Sequence, residues 1–172
     1  MSKRRVLFYV QHLLGIGHLR RAATLTRAMS ATGLETTLVT GGMPVPGTDV
    51  GGGALVQLPP TRAVDMYFRQ LVDEHDQPVD DAWRGMRRDR LLAVWQECRP
   101  HVLMFELFPF GRRQMRFELL PLLEAASAAA ERPVIVCSVR DILVAQDKPE
   151  RNQEMLEITR RYFEHVLIHG DP

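Results

Sequence analysis

The segment Gly15-Ile16-Gly17-His18-Leu19-Arg20-Arg21 joins an apolar run, Val6 to Val10, to a helical pattern. Glycines at such a junction let the backbone approach a ligand and leave amides free at a helix N-terminus. The helix dipole disfavours an imidazolium in the first turn, so His18 is expected to be neutral and able to take a proton from a substrate hydroxyl. The same residue can equally cap the loop by bonding to backbone. Arg20 and Arg21 point about 100° apart on a helix, so one faces solvent while the other can offset negative charge. Further reactive groups follow later apolar runs: Gly41 and Gly42, Glu106 with Arg112 and Arg113, Arg140 with Asp141, and His169 with Asp171. Glu106 can serve as a base, hydrogen-bond a hydroxyl, or pair with Arg112 or Arg113. Arg140 and Asp141 are expected to form an internal ion pair at the floor of a cleft.

Two phosphate-binding motifs are excluded at the first loop. A dinucleotide fingerprint needs a third glycine where Arg20 stands and an acid near Thr37 to Thr40, where there is none. A P-loop needs a Gly-Lys-Ser/Thr run that does not follow. Asp73-Glu74-His75-Asp76 lacks helical spacing and reads as a solvated charge run rather than a metal cluster. Arg84, Arg87, Arg88 and Arg90 read as a wet helix surface that can also touch anionic lipid headgroups. Met66-Tyr67-Phe68 and Phe105 to Phe110 add apolar loop surface, which suits a greasy ligand or a membrane-proximal site and which ordinary loop packing explains as well.

The elements that must position these groups alternate along the chain. Val6–Val10, Thr36–Thr40, Ala54–Leu58, Val102–Phe105, Pro133–Cys137 and Val166–Ile168 read as strands. Helical patterns run from Leu19 to Met29, stopped by Gly33, and from Asp80 or Asp81 to before Pro100. Others run from about Arg113 to Ala130, with Pro121 kinking the helix or opening its second part, and from Glu150 to Phe163. Residues 59–78 keep no period and read as irregular. Strands separated by helices predict a Rossmann-like, doubly wound parallel α/β sheet of about six strands. Ligands bind such sheets outside the carboxyl ends of the strands, which is where the reactive residues collect.

Composition narrows the class. The 172 residues hold Lys+Arg 22 against Asp+Glu 21, a net charge of +1 that argues against a duplex nucleic-acid partner. No apolar run approaches the roughly 20 residues of a membrane span, and the basic start lacks a signal-peptide core. Cys98 and Cys137 are too few for a disulfide framework or zinc site, so a reduced cytoplasmic domain is expected.

Together, Val6 to Val10, Gly15 to Arg21 and Leu38-Val39-Thr40-Gly41-Gly42 resemble the amino-terminal half of GT-B glycosyltransferases. The likeness is to family 28-like predicted bacterial glycosyltransferases, with further matches at Glu106 to Arg113, Ser138 to Leu143 and His169 to Pro172. The resemblance implies that residues 1–172 form the acceptor-binding domain of an enzyme that moves a hexose-type sugar from a nucleoside-diphosphate sugar to a hydroxyl acceptor. The resemblance also implies that the acceptor can be lipid-linked, in which case the site lies at the inner face of the membrane. His18 and Glu106 would carry the proton chemistry. Gly15, Gly17, Arg20, Arg21, Gly41, Gly42, Arg112, Arg113, Arg140 and Asp141 would bind substrate. His169 and Asp171 would mark a hinge or interface. No cofactor and no metal are implied beyond the nucleotide-sugar co-substrate. The nucleotide-sugar domain lies outside this chain, which implies a truncated product or a split enzyme that needs that domain in cis or in trans. A non-catalytic binding subunit and half of a sugar-nucleotide epimerase are the rival readings.

Overall fold

A computed structural model describes residues 3–140 and 149–170. The opening strand β1 (Arg5–Val10) is buried along almost its whole length, and α1 (Gly17–Ala31) follows it. The strands β2 (Glu35–Thr40) and β3 (Ala54–Gln57) then add outward on one side of β1. After a ribbon of β4 (Arg62–Ala63) and β5 (Leu71–Val72) comes α2 (Asp81–Cys98). The chain then returns to the other side of β1 with β6 (Val102–Glu106), α3 (Arg116–Ser127), β7 (Val134–Arg140), α4 (Pro149–Tyr162) and β8 (His165–His169). A single 3-10 turn, Arg113–Met115, leads into α3.

The main sheet has six strands in the order β3-β2-β1-β6-β7-β8, all parallel. This is the doubly wound order, in which the winding reverses between β1 and β6 and opens a crevice at their carboxyl ends. The Rossmann-like α/β expectation therefore holds.

Alternation along the strands sorts the core into two layers. Phe8, Val10, Leu38, Met104 and Val136 point to one face and pack under Leu19, Ala22 and Ala23 of α1. Leu7, Tyr9, Val39, Leu103, Phe105 and Ile135 point to the other, against Leu91 and Val94 of α2 and Leu119, Leu122 and Leu123 of α3. Asp80 caps α2 by accepting the Trp83 amide at 2.7 Å.

Several expectations need correction. Residues 59–78 are not irregular throughout: β4 and β5 pair antiparallel through Arg62↔Val72 and Ala63↔Leu71. Two-residue strands are too short to show a period, so the sequence carries no signal for them. The helix expected from Arg113 is confined to Arg116–Ser127 and runs through Pro121 without a break. Arg87 is not on the wet face of α2 but fully buried. Phe105 and Phe108 are core residues rather than loop surface, whereas Met66 and Tyr67 are 78% and 74% exposed. No helix among the described residues is long and apolar enough to cross a membrane.

Candidate functional site

Met104 and Glu106 on β6, and Val136 and Ser138 on β7, lie two residues apart, and Met104↔Val136 and Glu106↔Ser138 are register partners. Alternation thus turns Glu106 and Ser138 toward the face covered by α1, just beyond its apolar contacts. His18 and Arg21, three apart in the first turns of α1, share one helix face and meet the carboxylate there.

His18 Nδ1 stands 2.9 Å from Glu106 Oε1. Arg21 Nη2 donates to Glu106 Oε2 at 3.3 Å and to Ser138 Oγ at 2.9 Å. The Ser138 hydroxyl is 3.2 Å from Glu106 Oε2 as a donor and 3.1 Å from His169 Nε2. Glu106 is 1% exposed, whereas the His18 side chain keeps 26% of its surface open. In a neutral imidazole the Nδ1 proton bonds to the carboxylate, which leaves the Nε2 lone pair for an incoming donor. His18 lines an open pocket of ≈ 220 Å³ together with Leu13, Leu14, Gly15, Gly17, Phe68 and Arg112.

The glycines of the site differ in kind. A Cβ on Gly15 or Gly17 would meet nothing within 4 Å, so packing does not demand glycine at either position. Ile16 supplies no side-chain cap to α1 and no acid occupies its first turn. The amides there have no side-chain partner among the described residues, as an anion-accepting helix start requires. Gly41 and Gly42 are buried. Side chains on them would run into Arg87 and Gln11 in one case and the His12 ring in the other. Close packing explains these two glycines without a ligand.

The arginines divide as adjacent helix residues must: Arg20 is exposed, and Arg21 is committed to Glu106 and Ser138. Arg112 donates from Nε to the Gln11 carbonyl at 2.5 Å, and Arg113 and Arg116 share Glu154 on α4 at 2.6 and 2.5 Å. Glu106 therefore pairs with His18 and Arg21 rather than with Arg112 or Arg113. Arg140 ends β7 with an exposed side chain. Asp141 and Asp171 lie outside the described residues, and with them the expected Arg140–Asp141 pair. Asp73 accepts the amides of His75 and Gln77 in an exposed turn, which accounts for that acidic run locally.

Behind the site lies a buried network on the opposite face of the sheet. Arg87 donates to Glu118 from Nε at 2.7 Å and from Nη2 at 3.0 Å, and Nη1 reaches the carbonyls of Gly41 and Pro59. Its Nη2 also reaches Gln11 Oε1 at 2.5 Å, and the Tyr9 hydroxyl donates to Glu118 Oε1 at 2.5 Å. Burial opposes the charge on Arg87, but Glu118 and Tyr9 together outweigh it and hold the guanidinium pKa above its ordinary value. Burial, with Glu118 beside it, raises the Tyr9 phenol well above the usual value. Through Gln11, which also accepts Arg112 on its carbonyl, this network fixes the strand end from which the His18 loop departs.

The sequence reading missed Ser138 and Arg87 as network members. Ser138 was legible in principle, because alternation from Val136 puts it on the face of α1. Arg87 sits four residues from Trp83 and from Leu91, on the apolar stripe of α2, which was the available signal.

No family model and no curated protein matches this chain. Solved glycosyltransferases match it in structure. CalG4, the calicheamicin glycosyltransferase, superimposes with a TM-score of 0.50 at 13% identity over 94% of this chain and 43% of its own. Apo UGT2 of Phytolacca americana gives 0.52 at 11% identity over 98% and 46%. The spinosyn rhamnosyltransferase SpnG, complexed with thymidine diphosphate, gives 0.52 at 15% identity over 96% and 44%. The chain thus has the Rossmann-like fold found in GT-B glycosyltransferases and spans less than half the length of those three.

Proposed function

We propose that this chain is the acceptor-side domain of a glycosyltransferase that moves a hexose-type sugar from a nucleoside-diphosphate sugar to a hydroxyl. His18 acts as the general base in this reading and Glu106 as the residue that positions it. The reading rests on one observation: a histidine–carboxylate pair at the switch point of the sheet, with the imidazole lining an open pocket and the carboxylate sealed behind it. Between the two candidate bases, burial favours His18. Both oxygens of Glu106 are engaged, and an acceptor reaches the imidazole first.

The chemistry follows from that arrangement. An acceptor hydroxyl donates to His18 Nε2 and its oxygen attacks the anomeric carbon as the bond to the diphosphate breaks. The proton ends on Nε2, the diphosphate leaves with the bonding electron pair, and Glu106 offsets the imidazolium through the Nδ1 proton. The uncapped amides of α1 suit an anion at the pocket's edge. A second Rossmann-like domain, in cis or in trans, holds the nucleotide-sugar in this scheme, and no metal is needed to activate the hydroxyl. The reaction is assigned to the cytoplasm, at the inner membrane face if the acceptor is lipid-linked.

With the partner domain supplied, His18→Ala should lower kcat about 10²-fold or more, while KM for the donor stays near the parent value. Glu106→Gln, which keeps shape but loses charge, should lower kcat less and shift the pH profile of kcat. A kcat unchanged in His18→Ala would remove that residue from the mechanism.

A further inference from the structure

The pocket beside His18 adjoins a larger one. Phe68 and Arg112 line the ≈ 220 Å³ pocket and also a second cleft of ≈ 570 Å³, bounded by residues 67–69, the loop after β6, and α4. Tyr67, Phe68 and Phe110 contribute aromatic surface to this cleft, and Met155 and Ile158 contribute apolar surface from α4. Five arginines line it against one acid, Glu154. Arg113 and Arg116 both pair with that glutamate, and Arg69 lies over the Tyr67 ring at 5.3 Å from its centroid.

Arg112, at the junction of the two spaces, makes no ion pair among the described residues. Burial pushes its pKa below the usual arginine value, Tyr9 and Glu106 oppose that shift only in part, and its one hydrogen bond among the described residues goes to a neutral carbonyl. No carboxylate there pairs with it, since the oxygens of Glu106 are taken by His18, Arg21 and Ser138. A half-buried guanidinium with no direct ion pair is costly, and a ligand that brings a negative charge to it removes that cost. The backbone holds it in place at some cost: Arg112 has φ 61° and Leu107, earlier in the same loop, φ 70°. Both are left-handed conformations that non-glycine residues seldom adopt and that gather at ligand sites.

We propose that the acceptor is an aromatic hydroxy acid. Its carboxylate or phosphate sits on the Arg112 fork, its ring lies between Phe68 and Phe110, and its hydroxyl meets His18 Nε2. This inference rests on the transferase reading for the role of the hydroxyl; the anion and ring contacts are independent of it. A neutral acceptor would leave Arg112 without an ion pair, and a free phosphate would leave the aromatic walls unused.

Calorimetric titration of the chain with 2-naphthoate, 2-naphthyl phosphate, 2-naphthol and inorganic phosphate tests the contacts. The two aryl anions should bind about tenfold or more tightly than either 2-naphthol or inorganic phosphate, and the stronger of the two identifies the anion. Arg112→Met should erase that preference while leaving 2-naphthol binding as it was, and Arg112→Lys should restore part of it. If Arg112→Met does not fold, the parent chain still decides: equal binding of 2-naphthol and 2-naphthoate overturns the proposal. Unchanged preference in a folded Arg112→Met overturns it too. With the partner domain present, sugar transfer onto 2-naphthol as efficient as onto 6-hydroxy-2-naphthoate sinks the acid acceptor and spares the transferase. Anion binding with no transfer onto any hydroxyl sinks the transferase and spares the anion site.

Discussion

His12 shows how single side chains tune this site. Its ring is buried against Gly42, with Nε2 3.0 Å from the Met43 carbonyl and Nδ1 without a hydrogen-bond partner among the described residues. Burial lowers its pKa; the Met43 bond opposes that shift only in part, and the Arg112 and His18 charges add to it. The folded protein therefore holds His12 neutral at a pH where the unfolded chain already binds a proton. Stability from this residue is complete above the unfolded pKa of about 6.5 and is lost as pH falls toward the lower folded value. The urea midpoint should drop between pH 7.5 and 5.5, a window above carboxylate titration, and His12→Gln should flatten that drop. Equal slopes in the two proteins would refute the assignment. His18 itself shows what residue-level reading can reach. Its place in a glycine-flanked turn marked it as reactive, but the carboxylate 88 positions away that orients it is visible only in space.

Among the elements, α2 and α3 are tied to β1 by the Arg87–Glu118 pair as well as by apolar packing. Both side chains are fully buried and each finds its partners through several hydrogen bonds. Breaking such a pair from one side leaves an unpaired charge in the core, so Arg87→Met should cost about 3–5 kcal/mol of unfolding free energy. Replacing both, as Arg87→Met with Glu118→Leu, should recover much of that loss. A single variant within about 0.5 kcal/mol of the parent in urea unfolding would mean that the pair does not clamp the helices. The network was hidden by its neighbours. Arg84, Arg88 and Arg90 make the segment look like a solvated basic face, and only the four-residue spacing from Trp83 to Arg87 to Leu91 pointed inward.

At the scale of the molecule, the chain spans less than half the length of CalG4, UGT2 and SpnG, and the proposal that it is the acceptor side puts the donor on another domain. A free nucleoside diphosphate titrated into the chain alone should not saturate below about 1 mM. Micromolar binding would move the donor to this half and overturn its assignment as the acceptor side.

The linear chain determined the sheet and its helices, because buried parallel strands are continuous apolar runs and the helices between them keep a 3.6-residue period. It also marked which loops carry reactive groups, since these gather after strand ends such as Val10 and Phe105. Only the tertiary structure decided which groups meet. His18, Arg21, Glu106, Ser138 and His169 come from four elements, and their contact depends on strand order and on the face to which each strand turns. The roles of Gly41, Gly42 and Arg87 were likewise undecided in sequence. Glycine spacing and a run of arginines look the same whether the space beside them holds a ligand or another side chain.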